Sequence, residues 1–332
     1  MPDPNKTFQL VTAALLTGAC LAQPLAAAQA DAAKDYPIKP VRFIVHTPAG
    51  GGPDIPARAI AQKLSEAWGR QVIVDNRTGA TGAIAVDLTA NAVPDGYTIC
   101  TITGSHTINS AVNPKLPYDL TRDLAAISQL SSNFLVVYHN PSVQVKSMQE
   151  LIAYAKANPG KLNYGSPGAG SLQHFAVEML SNRIGTKLVH VPYKGGAAVM
   201  AAALAGEVQV GISSLLTIRP HLSTGRLRAL AVTAKQRSPI APELPTVAEA
   251  GVAGYEVYQW TGVVTGAKVS PEIIRKLNSG IVEALRLPDV AQRLVADGST
   301  LVGSSPEAFG AHIKSEIAKW RKLAKDARLV LD

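Results

Sequence analysis

The sequence predicts an α/β protein of two domains, and three observations carry that prediction. Val41 to Trp68 reads as strand, glycine loop and helix: VRFIVHT, then PAGGGPD, then IPARAIAQKLSEAW. The same order returns at 162–180, where LNY leads into GSPGAGS and a helix follows from Leu172. The chain has 332 residues, enough for two domains of ordinary size.

The first strand is rich in β-branched residues and is expected to be buried. In the helix that follows, Ile60, Leu64 and Trp68 stand four apart and share one face. Asp54 is placed to act as its N-cap, and Pro56 is tolerated in the first turn. Between strand and helix, Gly50, Gly51 and Gly52 allow backbone N–H groups to approach a ligand closely. The helix start adds roughly half a positive charge. Together these favour a carboxylate or phosphate. A tight strand-to-helix connection without a ligand has the same pattern, so the loop alone leaves both readings open.

Val72-Ile73-Val74 is a second strand, Thr81 to Ala92 an alanine-rich helix, and Tyr97 to Thr103 a third strand ending in Gly104-Ser105-His106. Strand and helix alternate at the spacing of parallel βαβ units. Loops at the carboxyl ends of such strands converge on one crevice, which puts the glycine loop and Ser105 in the same place. Phe134 to Tyr138 is a strand leading into a new region. Ser147 with Glu150 reads as a capping box, opening a helix that ends at Ala157 before Pro159-Gly160. After GSPGAGS and its helix come His190 to Gly196, an alanine-rich helix over 197–204, and strands over 208–212 and 227–233. Tyr255 to Val264 is extended and crosses back to the first unit. Ser270-Pro271-Glu272 and Ser305-Pro306-Glu307 each start a helix. Ile274, Leu277, Ile281 and Leu285 form a core stripe on the first, and Phe309, Ile313, Ile317, Trp320 and Leu323 on the second.

Composition narrows the function. The formal net charge of +8 suits an anionic ligand, but no run of Lys and Arg resembles a nucleic-acid arm. Aromatic residues make up only 5%, too few for stacking platforms. Lys6 followed by the apolar segment Phe8 to Leu21 and Ala28-Gln29-Ala30 reads as a signal peptide over 1–30, cut after Ala30. A lipid anchor at Cys20 is the disfavoured alternative, because Thr17-Gly18-Ala19-Cys20 lacks the large aliphatic residue of a lipoprotein box. After that cut only Cys100 remains, in an apolar strand, where packing is its expected role. The mature chain is therefore expected in the periplasm.

The motif search removes several chemistries. GSPGAGS lacks the third glycine of a dinucleotide fingerprint, and the first loop lacks the Gly-Lys-Ser/Thr of a P-loop. The seven histidines show no metal-ligand spacing, so no metal and no cofactor are expected. Ser166 and Ser171 read as hydroxyl donors at a helix start, where capping is a sufficient reason for one of them. His174 lies where it can help hold that loop, although a packed or surface histidine is the favoured reading over a ligand contact; Lys194 is placed equally to counter an anion or to lie on the surface, and Tyr193 to wall a pocket or to pack in the domain core. An exported receptor for a small anion accounts for this inventory. The rival is an exported serine hydrolase acting on small esters or amides, using Ser171 or Ser105 with His106 or His174.

The segments PAGGGPD, ARAIAQKLSE, VDNRTGATGAIA, PDGYT, LPYD, GSPGAGSLQH, VPYKGG, GRLRALAVT, LPTVAEAG and EIAKWRKL, in this order, resemble the extracytoplasmic receptors of tripartite tricarboxylate transporters, the Bug family. The resemblance spans nearly everything after residue 36. It implies a type II periplasmic-binding-protein fold: two α/β domains joined by hinge strands, with the ligand cleft between them. Domain 1 would combine 37–135 with 256–332, and domain 2 would be 136–255. The hinge strands would lie near Leu135 to Tyr138 and Tyr255 to Gly262. The chain would act as a monomer that captures a small carboxylate by hinge closure, serving membrane subunits of a transporter or sensing. The implied ligand residues are Thr47, Ala49, Gly50, Gly51, Gly52 and Ser105 from the first domain. From the second come Ser166, Gly168, Gly170, Ser171, Tyr193, Lys194 and Gly195. Two departures stand out: His46-Thr47 replaces the usual aromatic or proline pair, and Thr265 to Val269 replaces Pro-Ala-Gly-Thr-Pro.

Overall fold

The computed structural model describes residues 35–295 and 299–329. The expected leader over 1–30, its cut after Ala30 and Cys20 lie outside these residues.

VRFIV forms β1 (Val41–Val45), and the helix after the glycine loop is α1 (Asp54–Trp68). Ile60 and Leu64 are buried as the four-residue spacing predicts, and Trp68 packs beside them half-buried. Then come β2 (Val72–Asn76), α2 (Ala83–Ala90) and β3 (Thr98–Thr103). β1 pairs in parallel with both β2 and β3, which sets the βαβ order read from the sequence. The first sheet has the order β11-β4-β10-β3-β1-β2, completed by β4 (Leu124–Phe134), β10 (Tyr258–Gly266) and β11 (Thr300–Leu301). One face is covered by α1, α8 (Pro271–Arg286) and α9 (Pro288–Val295), which bury Ile60, Leu277, Ile281 and Leu294 against Phe43 and Ile99. The other face packs Ile44, Cys100 and Ile102 against Phe309, Ile313 and Ile317 of α10 (Pro306–Asp326).

The second sheet has the order β7-β6-β8-β5-β9. Its strands are β5 (Val136–His139), β6 (Asn163–Ser166), β7 (Val189–Pro192), β8 (Val210–Ser213) and β9 (Arg228–Val232). α4 (Met148–Ala157) and α5 (Leu172–Ile184) cover one face, α6 (Gly196–Ala205) and α7 (Leu215–Ser223) the other.

Among the elements that escape the sequence patterns, four have a plain physical reason. β4 reads LAAISQLSSNF, without alternation, yet it is a long inner strand. Its polar groups are satisfied: Ser128 Oγ donates to the Ser304 carbonyl at 2.9 Å, and Ser304 Oγ accepts from the Gln129 amide at 2.9 Å. α3 (Gly104–Val112) starts directly after β3, capped by Thr103. Here His106 completes the capping box where Glu or Gln is the usual signal, accepting the Thr103 amide at 3.1 Å. α7 carries Pro220 inside it, which hides the helix from pattern reading. β7 holds His190 and Pro192, poor strand signals.

The chain passes between the sheets at Leu135 and returns before β10. Thr233, fully buried, ties the two crossings together. Its Oγ1 accepts the Leu135 amide at 2.8 Å and donates to the Val257 carbonyl at 2.7 Å. Its backbone bonds both strands as well, through Thr233 N to Leu135 O and Val257 N to Thr233 O. Packing also runs across the joint, since Ile108 of α3 and Trp320 and Leu323 of α10 share one cluster with Leu172 and Phe175 of α5.

Candidate functional site

The first glycine loop is braced from within. Asp54 is not the N-cap; Pro53 holds that position without any side-chain cap. Asp54 opens α1 and turns its buried carboxylate back under the loop. There it accepts the Gly50 amide, Arg58 Nε and Asn76 Nδ2, each at 2.8 Å. Burial alone would raise its pKa, but the bonds from Arg58, Asn76 and Gly50 outweigh it and hold the carboxyl below its usual range. Gly51 donates to the Pro48 carbonyl at 3.0 Å, and the Gly51 carbonyl takes the Asp54 and Ile55 amides. The Gly50 and Gly51 amides are thus committed to the loop. Among the described residues, the amides of Ala49 and Gly52 have no acceptor within the protein. The two glycines differ sterically as well. A Cβ at Gly51 would stand 2.8 Å from Thr47 Oγ1, whereas one at Gly52 meets nothing within 4 Å.

The second glycine loop uses neutral groups for the same task. Ser171 caps α5 through its Oγ, which accepts the His174 amide at 3.3 Å. His174 Nδ1 accepts the Gly170 amide at 3.2 Å, so this ring holds the loop. Ser166 is fully buried; its hydroxyl donates to the Gly168 carbonyl at 2.9 Å and lies 2.7 Å from His190 Nε2. Ser166 and Gly170 therefore serve the loop's own architecture. The third segment is stitched to the second: Tyr193 N donates to Ser166 O at 2.9 Å, and Gly195 N to Pro167 O at 3.2 Å. Among the described residues, the amides of Ala169 and Lys194 remain without an acceptor. The Lys194 side chain is exposed and makes no ion pair among the described residues, and Tyr193 is half-buried with its hydroxyl 3.4 Å from Glu207.

Each unit holds a pair of imidazoles in contact. His46 and His106 meet edge to face at 4.4 Å; His174 and His190 stack at 3.9 Å with planes 9° apart. Burial pushes His46 and His174 down to about 4, takes His106 well below its usual value, and lowers His190. All four rings are neutral near pH 7.

The two units touch at helix starts close to these loops. Gly104, at the start of α3 beside Ser105, lies against Leu172, the first residue of α5. Gly52 shares a cavity of about 190 Å³ with Leu216 of α7, a helix that sequence reading missed. None of the Ser–His combinations weighed for a hydrolase forms a side-chain pair among the described residues. Ser171 meets His174 only through the latter's amide, and His106 Nδ1 turns to Thr103. The short Ser–His contact is the one nobody would pick from spacing, Ser166 with His190, and its serine has no exposure to solvent. Cys100 is fully buried and its thiol is pushed up to about 12, as suits a packing residue. Among the described residues no group of three or more His, Cys, Asp or Glu side chains could hold a metal ion.

Three functional supports had no usable sequence signal. Asp54 looked like a cap because it precedes the helix. His190 reaches Ser166 only through strand pairing, and Leu216 reaches the cavity only through the packing of the two units.

Comparison with known proteins adds the following. The family described as tripartite tricarboxylate transporter family receptor matches residues 56–329. Protein BugT of Bordetella pertussis (strain Tohama I) is 33% identical over 296 residues, covering 89% of this chain and 91% of that protein. The structure of R. palustris Rpa4515 with adipate superposes with a TM-score of 0.78 at 34% identity, covering 89% of this chain and 99% of that one. MatC from Rhodopseudomonas palustris with bound malate gives 0.75 at 26% identity, covering 87% and 99%.

Proposed function

This chain belongs to the tripartite tricarboxylate transporter receptor family, and from that premise we propose that it is a periplasmic receptor that captures a small carboxylate between its two α/β units. The observation that carries the reading is the set of uncommitted main-chain donors on both loop systems, Ala49 and Gly52 on one side and Ala169 and Lys194 on the other. Such donors fit an anion without requiring a charged side chain. Adipate and malate, the ligands named with two of the neighbours, are anions of this class.

In this reading Thr47, Gly50, Gly51, Ser166, Gly168, Gly170 and Ser171 shape the loops, while the four amides, with Ser105, Tyr193 and Gly195 beside them, line the cleft. Residues 37–135 with 256–332 form one closing body and 136–255 the other. Closure is favoured because the ligand touches both bodies at once. The receptor works as a monomer and passes its ligand to membrane subunits of a transporter, or reports the ligand's presence.

The test uses Gly52→Val. A Cβ added there meets no protein atom within 4 Å, so the loop should keep its shape while the branched side chain screens the amide. Wild type should gain several degrees of melting temperature in saturating adipate or malate, by mass action. The variant should melt like the ligand-free wild type and gain nothing. A wild type indifferent to a panel of carboxylates, or a variant that responds equally, sinks the proposal.

A further inference from the structure

A groove on the first unit carries charge that nothing in the chain uses. One cavity of about 480 Å³ is walled by α10, by the carboxyl end of α3 at Ser110 and by the 113–122 loop. It adjoins another of about 720 Å³ that reaches Lys268 after β10, and the two share Pro117, Tyr118 and Arg122 as walls. None of the residues assigned to the cleft lines either cavity. Lys268 stands in the 265–269 segment, where this sequence departs from the family pattern.

The lining charges are unevenly satisfied. Arg122 donates from Nε and Nη2 to the two carboxylate oxygens of Asp123, each at 2.8 Å. Asp119 Oδ1 accepts the Thr121 hydroxyl at 2.7 Å and the Thr121 and Arg122 amides at 2.8 and 3.1 Å. Both acids are thus tied to their own loop. On α10, Lys319 pairs with Glu316 and Lys322 with Asp326. Lys314 and Arg321, the cations of that helix that line the groove, make no ion pair among the described residues, and neither does Lys268. Lys314 and Arg321 are seven residues apart, which sets them on one face of the helix, about 10 Å from each other along its axis. Leu116, Tyr118 and Ile317 add apolar surface to the same lining.

We propose that this groove docks an extended acidic segment of a partner protein, with carboxylates three residues apart on Lys314 and Arg321 and the chain continuing toward Lys268. The spacing selects the occupant. In a polyproline II segment every third residue returns to the same side after about 9 Å, close to the separation of the two cations. A small polycarboxylate carries its carboxylates a few bonds apart and reaches both cations only if two long side chains fold together. Apolar side chains beside unpaired charge match the anatomy of a protein interface, and opposite charge speeds the encounter. Both helices of the groove also pack on the second unit, α3 through Ile108 and α10 through Trp320, so a docked partner touches elements of the joint.

Fluorescence anisotropy on the full chain tests this with a labelled peptide of three Glu-Pro-Pro repeats, against a control in which Gln replaces each Glu. At low ionic strength wild type should bind the acidic peptide at least tenfold more tightly than the control. Lys314→Gln combined with Arg321→Gln should lose at least tenfold, and because both positions are exposed its melting temperature should match wild type. Lys161→Gln combined with Lys187→Gln, at exposed positions on the second unit, removes the same charge and should bind like wild type. Equal binding of the two peptides, or an equal loss in both double variants, would reveal only the pull of net charge and overturn the proposal. Citrate displacing the peptide at equal concentration would give the groove to a small anion. Retention on phosphatidylglycerol vesicles that needs Lys314 and Arg321, without peptide binding, would give it to a membrane surface. Either result overturns peptide docking, and both leave the receptor reading of the cleft untouched.

Discussion

The two glycine loops are built from one plan and secured by opposite means. Each follows a strand and leads into a helix. The first is held by a buried carboxylate, Asp54, which gathers Gly50, Asn76 and Arg58. The second is held by neutral rings and hydroxyls, with His174 taking Gly170, His190 meeting Ser166, and Ser171 capping α5. The difference teaches that a glycine-rich loop is no guarantee of free amides. Internal acceptors consume most of them, and what remains for a ligand is set by the bracing groups. A negative brace also lowers the local potential for an anion, while a neutral brace leaves it unchanged. The first loop compensates with Arg58, which pairs with Asp54 and makes the local charge balance.

The largest effect should come from removing the charged brace. Asp54→Ala deletes three hydrogen bonds to a buried carboxylate and leaves Asn76 and Gly50 without their shared acceptor. Bonds to charged groups are worth about 1.5–3 kcal/mol each and do not add fully, so a loss of roughly 3 kcal/mol is expected. Denaturant melts would read that loss directly, with carboxylate binding lost as the loop rearranges. A cost below about 1 kcal/mol would mean that the loop does not depend on charge, and the contrast between the loops would collapse.

Acid should separate the loops more finely. His174 is lowered from 6.5 to about 4 in the folded chain, so between those values the unfolded chain carries the extra proton. Stability is therefore full above pH 6.5 and falls as pH drops toward about 4, with His46 contributing in the same window. Binding should weaken in the same direction, because a proton on His174 Nδ1 removes the acceptor of the Gly170 amide. His174→Gln keeps an acceptor that cannot titrate. Its affinity profile should flatten around and below pH 4, where the folded ring takes its proton, while its stability still declines between pH 6.5 and 4 through His46. An unchanged affinity profile in the variant would place the acid response elsewhere.

Much of this was open to pattern reading. β1, α1, α5 and the apolar stripes of α8 and α10 follow from periodicity, because their burial depends on spacing within one segment. The position of both loops at strand carboxyl ends followed from the βαβ order. What stayed hidden depends on distance in sequence. Thr233 joins Leu135 to Val257, His190 meets Ser166 across paired strands, and Leu216 faces Gly52 across the two units. Ser166 illustrates the limit well: a serine in a glycine loop suggests a ligand donor, and only its burial shows that the loop uses it for itself.

The smallest effect should be at Lys194, and it is the sharpest check on the idea that main-chain donors hold the anion. Its side chain is exposed and makes no ion pair among the described residues, so it has no fixed geometry. An exposed charge in water contributes about 0–1 kcal/mol, further screened at physiological salt. Lys194→Met keeps the aliphatic stem and leaves the backbone amide in place. Affinity for adipate should fall less than about fivefold, the ratio that 1 kcal/mol corresponds to. The small loss should also vanish in high salt, since only long-range attraction is removed. A loss of a hundredfold that persists in salt would show a desolvated lysine closing on the ligand. The second loop would then carry a charge of its own, and the two loops would differ in what they offer the ligand as well as in how they are braced.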